Sequence, residues 1–102
     1  MTTIFVSRHP GAIEWIKEQA LHIDKFVDHL DIETVNKGDA VIGVLPVSVA
    51  YLVCKKEAAF ISLEIQQTRE IRGQELSKDL LTKLHCRLQA FDVVKSQNIN
   101  NF

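Results

Sequence analysis

Short apolar blocks alternate with polar and amphipathic stretches along this chain of 102 residues. Residues 3–7 form the first block, which is β-branched and aromatic without a helical period, and it predicts a short buried strand. After a break, apolar side chains recur at helical spacing opposite a polar face, at Ala12, Ile13, Ile16, Ala20 and Ile23. This spacing predicts an amphipathic helix, and Pro10 suits its first turn because a proline lacks only an N–H that has no helical partner there.

The middle of the chain repeats this order. Residues 25–30 alternate between apolar and polar side chains and predict a second short strand, and residues 36–39 have the composition of a turn. Residues 40–45 are continuously apolar, which predicts a strand buried on both faces of a sheet. Pro46 then begins a second helix, predicted to run from residue 47 to about residue 56 and to end in basic residues that suit its dipole.

The last third of the chain predicts a further strand, a loop and a helix. Residues 59–63 form a third buried strand candidate, and residues 66–74 are polar enough to be a long surface loop. Ser77 is a good N-cap, and the helix expected after it carries Leu80, Leu81, Leu84 and Leu88. Residues 91–95 predict a last edge strand, and residues 96–102 an Asn-rich, frayed tail.

The element order is therefore β-α-β-β-α-β-α with a last edge strand. Short buried strands that alternate with helices predict a three-layer α/β domain around a mostly parallel sheet. The second and third strands are separated only by residues 31–38, which reach about 26 Å when extended, enough for a parallel return. We expect one domain over residues 1–95, because a chain of this length buries a single modest core.

Charge and cysteine content narrow the class of protein. The chain contains twelve Lys and Arg and thirteen Asp and Glu, which gives a formal net charge of −1. This near-balance argues against a basic nucleic-acid coat protein and a polybasic membrane binder, and it leaves room for a small basic pocket. Cys54 and Cys86 belong to no CxxC or Cys/His cluster, so we expect free, buried thiols. With no secretory leader and no apolar run long enough to span a bilayer, the sequence predicts a cytoplasmic protein.

Ligands of parallel α/β sheets bind beyond the carboxyl ends of the strands, at helix N-termini. This rule selects residues 7–11, 45–48 and 64–75 as candidate site segments. In the first of them, Arg8 and the backbone N–H groups of the helix start would bind an anion such as phosphate, and His9 would act as a general acid or base. Ser7, Pro10 and Gly11 complete this segment. The alternative is structural, with Ser7 as a cap, Arg8 paired with a surface carboxylate and His9 solvated.

The other two segments are predicted to support the first. Pro46 and Ser48 lie at the second helix start, where capping or presentation of backbone N–H groups is expected, since no G-x-S-x-G elbow surrounds Ser48. The third segment contributes two arginines, a glycine that permits close approach and a carboxylate, namely Arg69, Arg72, Gly73 and Glu75. These residues form either a second wall of a phosphate pocket or a solvated loop with Arg–Glu pairs.

Several familiar chemistries have no pattern in the chain. The glycines form neither a G-x-G-x-x-G nor a Walker A motif, so a dinucleotide or ATP site has no support. His22 and His29 have no metal-ligand spacing, and surface or core-edge positions are expected for both. His85 and Cys86 are helical neighbours on different faces and form no dyad. The residues therefore indicate neither a metal nor a cofactor.

Three sequence blocks resemble a family of small CRISPR-associated proteins encoded beside type III CRISPR systems. The first is Ser-Arg-His-Pro-Gly-Ala at residues 7–12, followed by Ile-Glu-Trp; the second is Gly38-Asp39 ahead of a strand that ends at Leu45-Pro46; the third is Arg-Gly-Gln-Glu-Leu at residues 72–76. Proteins of this family resemble the Rossmann-like CARF domains that sense cyclic oligoadenylates. The resemblance implies a Rossmann-like fold and a ring nuclease that cleaves cyclic tetra-adenylate.

By that likeness, cleavage needs no metal: a ribose 2′-hydroxyl attacks its own phosphate and leaves a 2′,3′-cyclic phosphate end. Such an in-line attack requires that the sugar is held in the right geometry, that the charge of the phosphorane is offset and that a proton moves from the nucleophile to the leaving group. Ser7, Arg8 and His9 have side chains that suit these tasks. A cyclic ligand of four nucleotides also suggests a two-fold partner, and we expect a homodimer with one shared pocket.

Two other functions stay open from the sequence. One is a non-catalytic module that only binds the cyclic nucleotide. The other is a histidine-phosphatase-like enzyme in which His9 is the nucleophile, since Arg-His after a strand is similar to that family's start; Pro10, however, stands where that pattern has glycine.

Overall fold

The computed structural model of the chain describes residues 1–65, 77–79 and 86–96. Five strands lie in this part: β1 (Thr3–Val6), β2 (Lys25–Val27), β3 (Ala40–Gly43), β4 (Ala59–Glu64) and β5 (Arg87–Phe91). Two α-helices lie there as well, α1 (Pro10–Lys17) and α2 (Val47–Lys55), together with a 3-10 turn at Ile32–Thr34.

The strands form one sheet in the order β2-β1-β3-β4-β5. The pairs β1–β2, β1–β3 and β3–β4 are parallel, and β5 runs antiparallel to its neighbour β4. The prediction of a mixed α/β domain with a mostly parallel sheet is confirmed. The sequence allows but does not decide a parallel second strand, and the structure pairs it parallel with β1. The architecture is compatible with a Rossmann-like α/β fold.

The sheet is covered on both faces because side chains alternate along its central strands. Ile4 and Val41 point to the face covered by α2, where Ala50 and Val53 pack against them. Phe5 and Ile42 point to the opposite face, where α1 contributes Ala12, Trp15 and Ile16. All four residues of β3 are buried, which confirms the strand buried on both faces that its continuous apolar run predicts.

The first helix is shorter than its apolar pattern predicts. The helix expected to reach Ile23 ends at Lys17; its last turn is closed by backbone N–H groups that return to Trp15 and Ile16 and by the Gln19 amide on the Trp15 carbonyl at 3.0 Å. Ile23 still packs against the α1 side of the core, from the connection to β2. Ile23 is therefore partly buried, as its spacing predicts, although it lies outside the helix.

The C-terminal prediction needs the largest correction. The sequence pattern predicts Leu88 on a helix and residues 91–95 in a strand, whereas the strand is Arg87–Phe91 and includes Leu88. Leu88 is paired with Leu63 of β4, and the rings of Phe91 and Phe60 lie 6.5 Å apart. Packing against β4 therefore outweighs the helical spacing of the leucines. Leu80, Leu81 and Leu84, and the expected tail beyond residue 96, lie outside the described residues.

Neither of the two described α-helices is long and apolar enough to cross a membrane.

Candidate functional site

A cleft of about 580 Å³ opens at the carboxyl edge of the sheet. Strands β1 and β3 are neighbours there, but the helices that follow them pack on opposite faces of the sheet. The two connections therefore diverge, and the space between them is the usual ligand position in open α/β sheets. The edge predicted from the sequence is thus the edge at which the structure has its cleft.

The last residue of β1, Val6, lines the cleft next to Gly43 of β3. Val6 and Gly43 are paired in register, and a Cβ added to Gly43 would lie 2.6 Å from the Val6 carbonyl oxygen. Only glycine fits this position without a shift of the backbone.

The turn between β1 and α1 presents the three residues predicted to carry the chemistry. Ser7, Arg8 and His9 all line the cleft. The Ser7 N–H donates to the Val27 carbonyl at 3.0 Å, and the Ser7 hydroxyl accepts the His9 N–H at 3.1 Å. Ser7 therefore ties this turn to the end of β2 and shapes its backbone.

Arg8 and His9 are both exposed in the cleft. No ion pair within residues 1–65, 77–79 and 86–96 involves the Arg8 guanidinium. The surface carboxylate partner that a purely structural role predicts is therefore not found in the described part of the chain. A cation in a cleft without an anionic partner suits an anionic ligand.

Sequence reasoning missed the contribution of β2. Asp28 and His29 follow this strand and line the cleft beside the β1 turn. The predicted strand runs to residue 30, which places both side chains inside a strand, whereas β2 ends at Val27. A shorter predicted strand would have placed Asp28 and His29 beyond its carboxyl end, where the rule for parallel α/β sheets expects ligand-binding residues.

The wall on the other side of the cleft is apolar. It follows β3 and includes Val44, Leu45, Pro46 and Val49. Pro46, predicted as a site residue, lies in this wall, and Ser48 lies exposed in the first turn of α2. Pro10 and Gly11 begin α1 directly behind His9, with Gly11 buried.

The remaining predicted residues follow β4. Leu63 and Ile65 line the cleft at the end of this strand. Arg69, Arg72, Gly73 and Glu75 lie outside the described residues, so their part in the pocket stays a prediction.

The described residues indicate what chemistry the cleft can offer. Its titratable side chains are Arg8, His9, Asp28 and His29, set against an apolar wall. Nowhere in the described ranges do three or more His, Cys, Asp or Glu side chains group as a metal site would require. The cleft thus combines a cation, two imidazoles, one carboxylate and an apolar surface, and its arginine and apolar wall suit an anion with an apolar part.

The two cysteines are free, as predicted, but half-buried rather than fully buried. Burial raises the pKa of the Cys86 thiol to about 11, so this thiol is protonated at neutral pH. Neither cysteine lines the cleft.

The fold and the site define a class of protein: an α/β domain with a ligand cleft at the topological switch point of its sheet. Residues 4–94 match the family model described as "Putative CRISPR-associated protein (Cas_VVA1548)". Because the match spans most of the chain, the chain belongs to this CRISPR-associated family. No curated protein and no solved structure matches it.

Proposed function

We propose that this CRISPR-associated protein is a ring nuclease that cleaves cyclic tetra-adenylate and so switches off type III CRISPR signalling. The observation that carries the proposal is the cleft itself, where Ser7, Arg8 and His9 meet an apolar wall at the switch point of the sheet. Membership of the CRISPR-associated family supports a nucleotide messenger of that system as the ligand.

The proposed reaction is an in-line attack by a ribose 2′-hydroxyl on the adjacent phosphorus. The O2′–P bond forms, the P–O5′ bond breaks, and one proton moves from the 2′-hydroxyl to the leaving 5′-oxygen. The products carry a 2′,3′-cyclic phosphate and a 5′-hydroxyl, so the step needs neither a metal nor a redox partner.

Each of the three residues has a task in this step. Arg8 offsets the charge that builds on the non-bridging oxygens, where a preorganised donor lowers the barrier most. His9 exchanges the proton, since imidazole changes its charge near neutral pH. Ser7 fixes the turn through its bonds to Val27 and His9 and thereby positions both side chains. The apolar wall at Val44 and Val49 offers contact to adenine.

The test is to incubate the protein with cyclic tetra-adenylate in EDTA and to resolve the products by chromatography. We expect linear di-adenylate with 2′,3′-cyclic phosphate ends. Unchanged ligand after long incubation with excess protein would contradict the proposal.

Variants separate catalysis from binding. His9→Ala should slow cleavage by about 10²–10⁴-fold and still bind, because general acid–base help has about that size. Arg8→Ala should lower both affinity and rate. His22→Ala and Lys37→Ala are matched controls, since both side chains are exposed and lie outside the lining of the cleft.

Two other functions are outcomes of the same experiment. Stoichiometric loss of free ligand without a new product would indicate a non-catalytic cyclic-oligoadenylate-binding module. Release of free phosphate from a generic phosphomonoester, abolished by His9→Ala, would indicate a histidine-phosphatase-like enzyme.

A further inference from the structure

We infer that His29 is the second proton-transfer group of the cleft and works as the partner of His9; this inference rests on the proposed function. The proposed step needs two proton movements, one away from the 2′-hydroxyl and one toward the 5′-oxygen. These atoms lie on opposite sides of phosphorus in an in-line displacement. Two separate imidazoles, one neutral and one protonated, satisfy this geometry better than one.

The placement of His29 follows from the pairing of β1 with β2. Val6 is in register with Val27, and the Ser7 N–H donates to the Val27 carbonyl at 3.0 Å. The turn that contains His9 and the turn that contains His29 therefore leave adjacent strands at the same edge. Both imidazoles are exposed and both line the one cleft.

The segment that presents His29 is anchored on both sides. Val27 ends β2, and Leu30 packs against the apolar cluster on the α2 face. Asp28 and His29 lie between these two anchors with their side chains exposed. The backbone that carries His29 is thus held on each side, which places the start of its side chain at a defined point beside the cleft.

Few other charges face His29 in the described part of the chain. The β1 turn contributes Arg8 and His9, and the β2 end contributes Asp28. The lining residues from β3, α2 and β4 within the described ranges are all apolar or proline. Within the described ranges, the charged groups whose effect on a pH profile must be considered are therefore Arg8 and Asp28.

The experiment compares pH profiles of kcat/KM for cyclic tetra-adenylate cleavage in EDTA. The unaltered protein should give a bell-shaped profile. The profile of His9→Ala should lack one limb, and that of His29→Ala the other. Each variant should still bind the ligand and should cleave it about 10²-fold or more slowly. His22→Ala, at an exposed histidine outside the cleft, should keep both limbs.

A modified substrate assigns the two roles. With sulfur in place of the 5′ bridging oxygen, the leaving group needs no proton, so the variant that lacks the general acid should recover most of its rate, and the other should not.

The possible failures are distinguishable. Cleavage by the unaltered protein together with a His29→Ala profile that keeps both limbs would overturn the role of His29 alone. Loss of the same limb of the pH profile in both histidine variants would also overturn the role of His29, because the two histidines would then not act as separate acid and base. No cleavage by the unaltered protein would overturn the proposed function and this inference with it.

Discussion

At the scale of single residues, the site depends on groups that shape the backbone as much as on groups that face the ligand. The sequence predicts that Ser7 takes part in the chemistry; in the structure its hydroxyl accepts the His9 N–H and its own N–H donates to the Val27 carbonyl at the end of β2. Ser7 thus shapes the turn that carries Arg8 and His9, and its predicted part in the chemistry stays a prediction. The absence of an ion pair on Arg8, within the described ranges, leaves its guanidinium available to an anion.

Gly43 provides the first stability prediction. Gly43→Ala should lower the free energy of unfolding by about 1–3 kcal/mol, because the new Cβ would lie 2.6 Å from the Val6 carbonyl oxygen and force β1 and β3 apart. Urea unfolding followed by circular dichroism measures the change.

The matched control is Gly38→Asn. Gly38 has φ +88°, a Cβ added there would meet no atom within 4 Å, and asparagine adopts this left-handed conformation more readily than most residues. It should cost less than Gly43→Ala. Equal unfolding free energies for Gly43→Ala and the unaltered protein would show that the strands move apart without cost.

At the scale of elements, the short 3-10 turn at Ile32–Thr34 is fastened by a lysine at the end of α2. The Lys56 ammonium donates to the carbonyl of Ile32 at 2.7 Å and to that of Val35 at 3.1 Å. The Asp31 carboxylate accepts the Glu33 N–H at the start of the same turn. The two Lys56 bonds hold the connection between β2 and β3 against the end of α2.

Lys56→Met should therefore destabilise the protein by about 1.5–3 kcal/mol, because two carbonyls lose a charged donor. Lys55→Met is the matched control: this neighbouring lysine is exposed, and its replacement should stay within about 0.5 kcal/mol. Urea midpoints of the two variants measured side by side test the difference. Equal midpoints would contradict a role for the Lys56 bonds.

Asp39 connects the beginnings of three strands. Its carboxylate accepts the N–H of Thr2 at 3.0 Å and of Asn36 at 2.9 Å, and its carbonyl accepts the N–H of Ala59. The N–H donors of Asn36 and Thr2 hold the pKa of this carboxyl below its ordinary value of 3.8. A carboxyl with a lowered folded pKa stabilises the native state only while it is ionised.

The stability that Asp39 contributes is therefore present above its unfolded pKa, near 3.8, and is lost as the pH falls through the lower folded pKa. Asp39→Asn should be less stable than the unaltered protein at pH 7, and the difference should shrink in that acid range. Unfolding free energies at a series of pH values test this, with Asp92→Asn, an exposed position, as the control. A difference that is constant with pH would contradict it.

At the scale of the whole molecule, exposed apolar side chains lie at the rim of the cleft. Val44, in the lining of the cleft, is 67% exposed, and Val47, the first residue of α2 and the neighbour of the lining residue Pro46, is 74% exposed; these two side chains form the rim. The proposed ligand, a ring of four nucleotides, has matching halves, and a two-fold axis beside the cleft would place one protomer against each half. We propose that this rim lies near the dyad of a homodimer.

Light scattering coupled to size-exclusion chromatography should then give twice the 11.6 kDa of the single chain. Val47→Glu should shift the mass toward the monomer, because a charge would be buried at the interface. Leu52→Glu, at a less exposed position further along α2, is the comparison variant. A monomer mass for the unaltered protein at micromolar concentration would contradict the dimer.

Much of the fold was predictable because its signals are local. The continuous apolar run at β3, the helical period after Pro10 and the proline before α2 each specify an element from neighbouring residues. The carboxyl-edge rule then selects Ser7, Arg8 and His9 from the order of elements alone. The predicted fold class is confirmed, and the three residues line one cleft.

What only the tertiary structure decided is which distant residues become neighbours. The end of β2 and its pairing with β1 bring Asp28 and His29 into the cleft that His9 lines. The pairing of β5 with β4 places Leu88 in a strand, although its spacing in the sequence is helical. Periodicity reports how one segment buries its own apolar side. Strand order and strand ends depend on free-energy differences between packings of segments far apart in the chain, and no local pattern contains those differences.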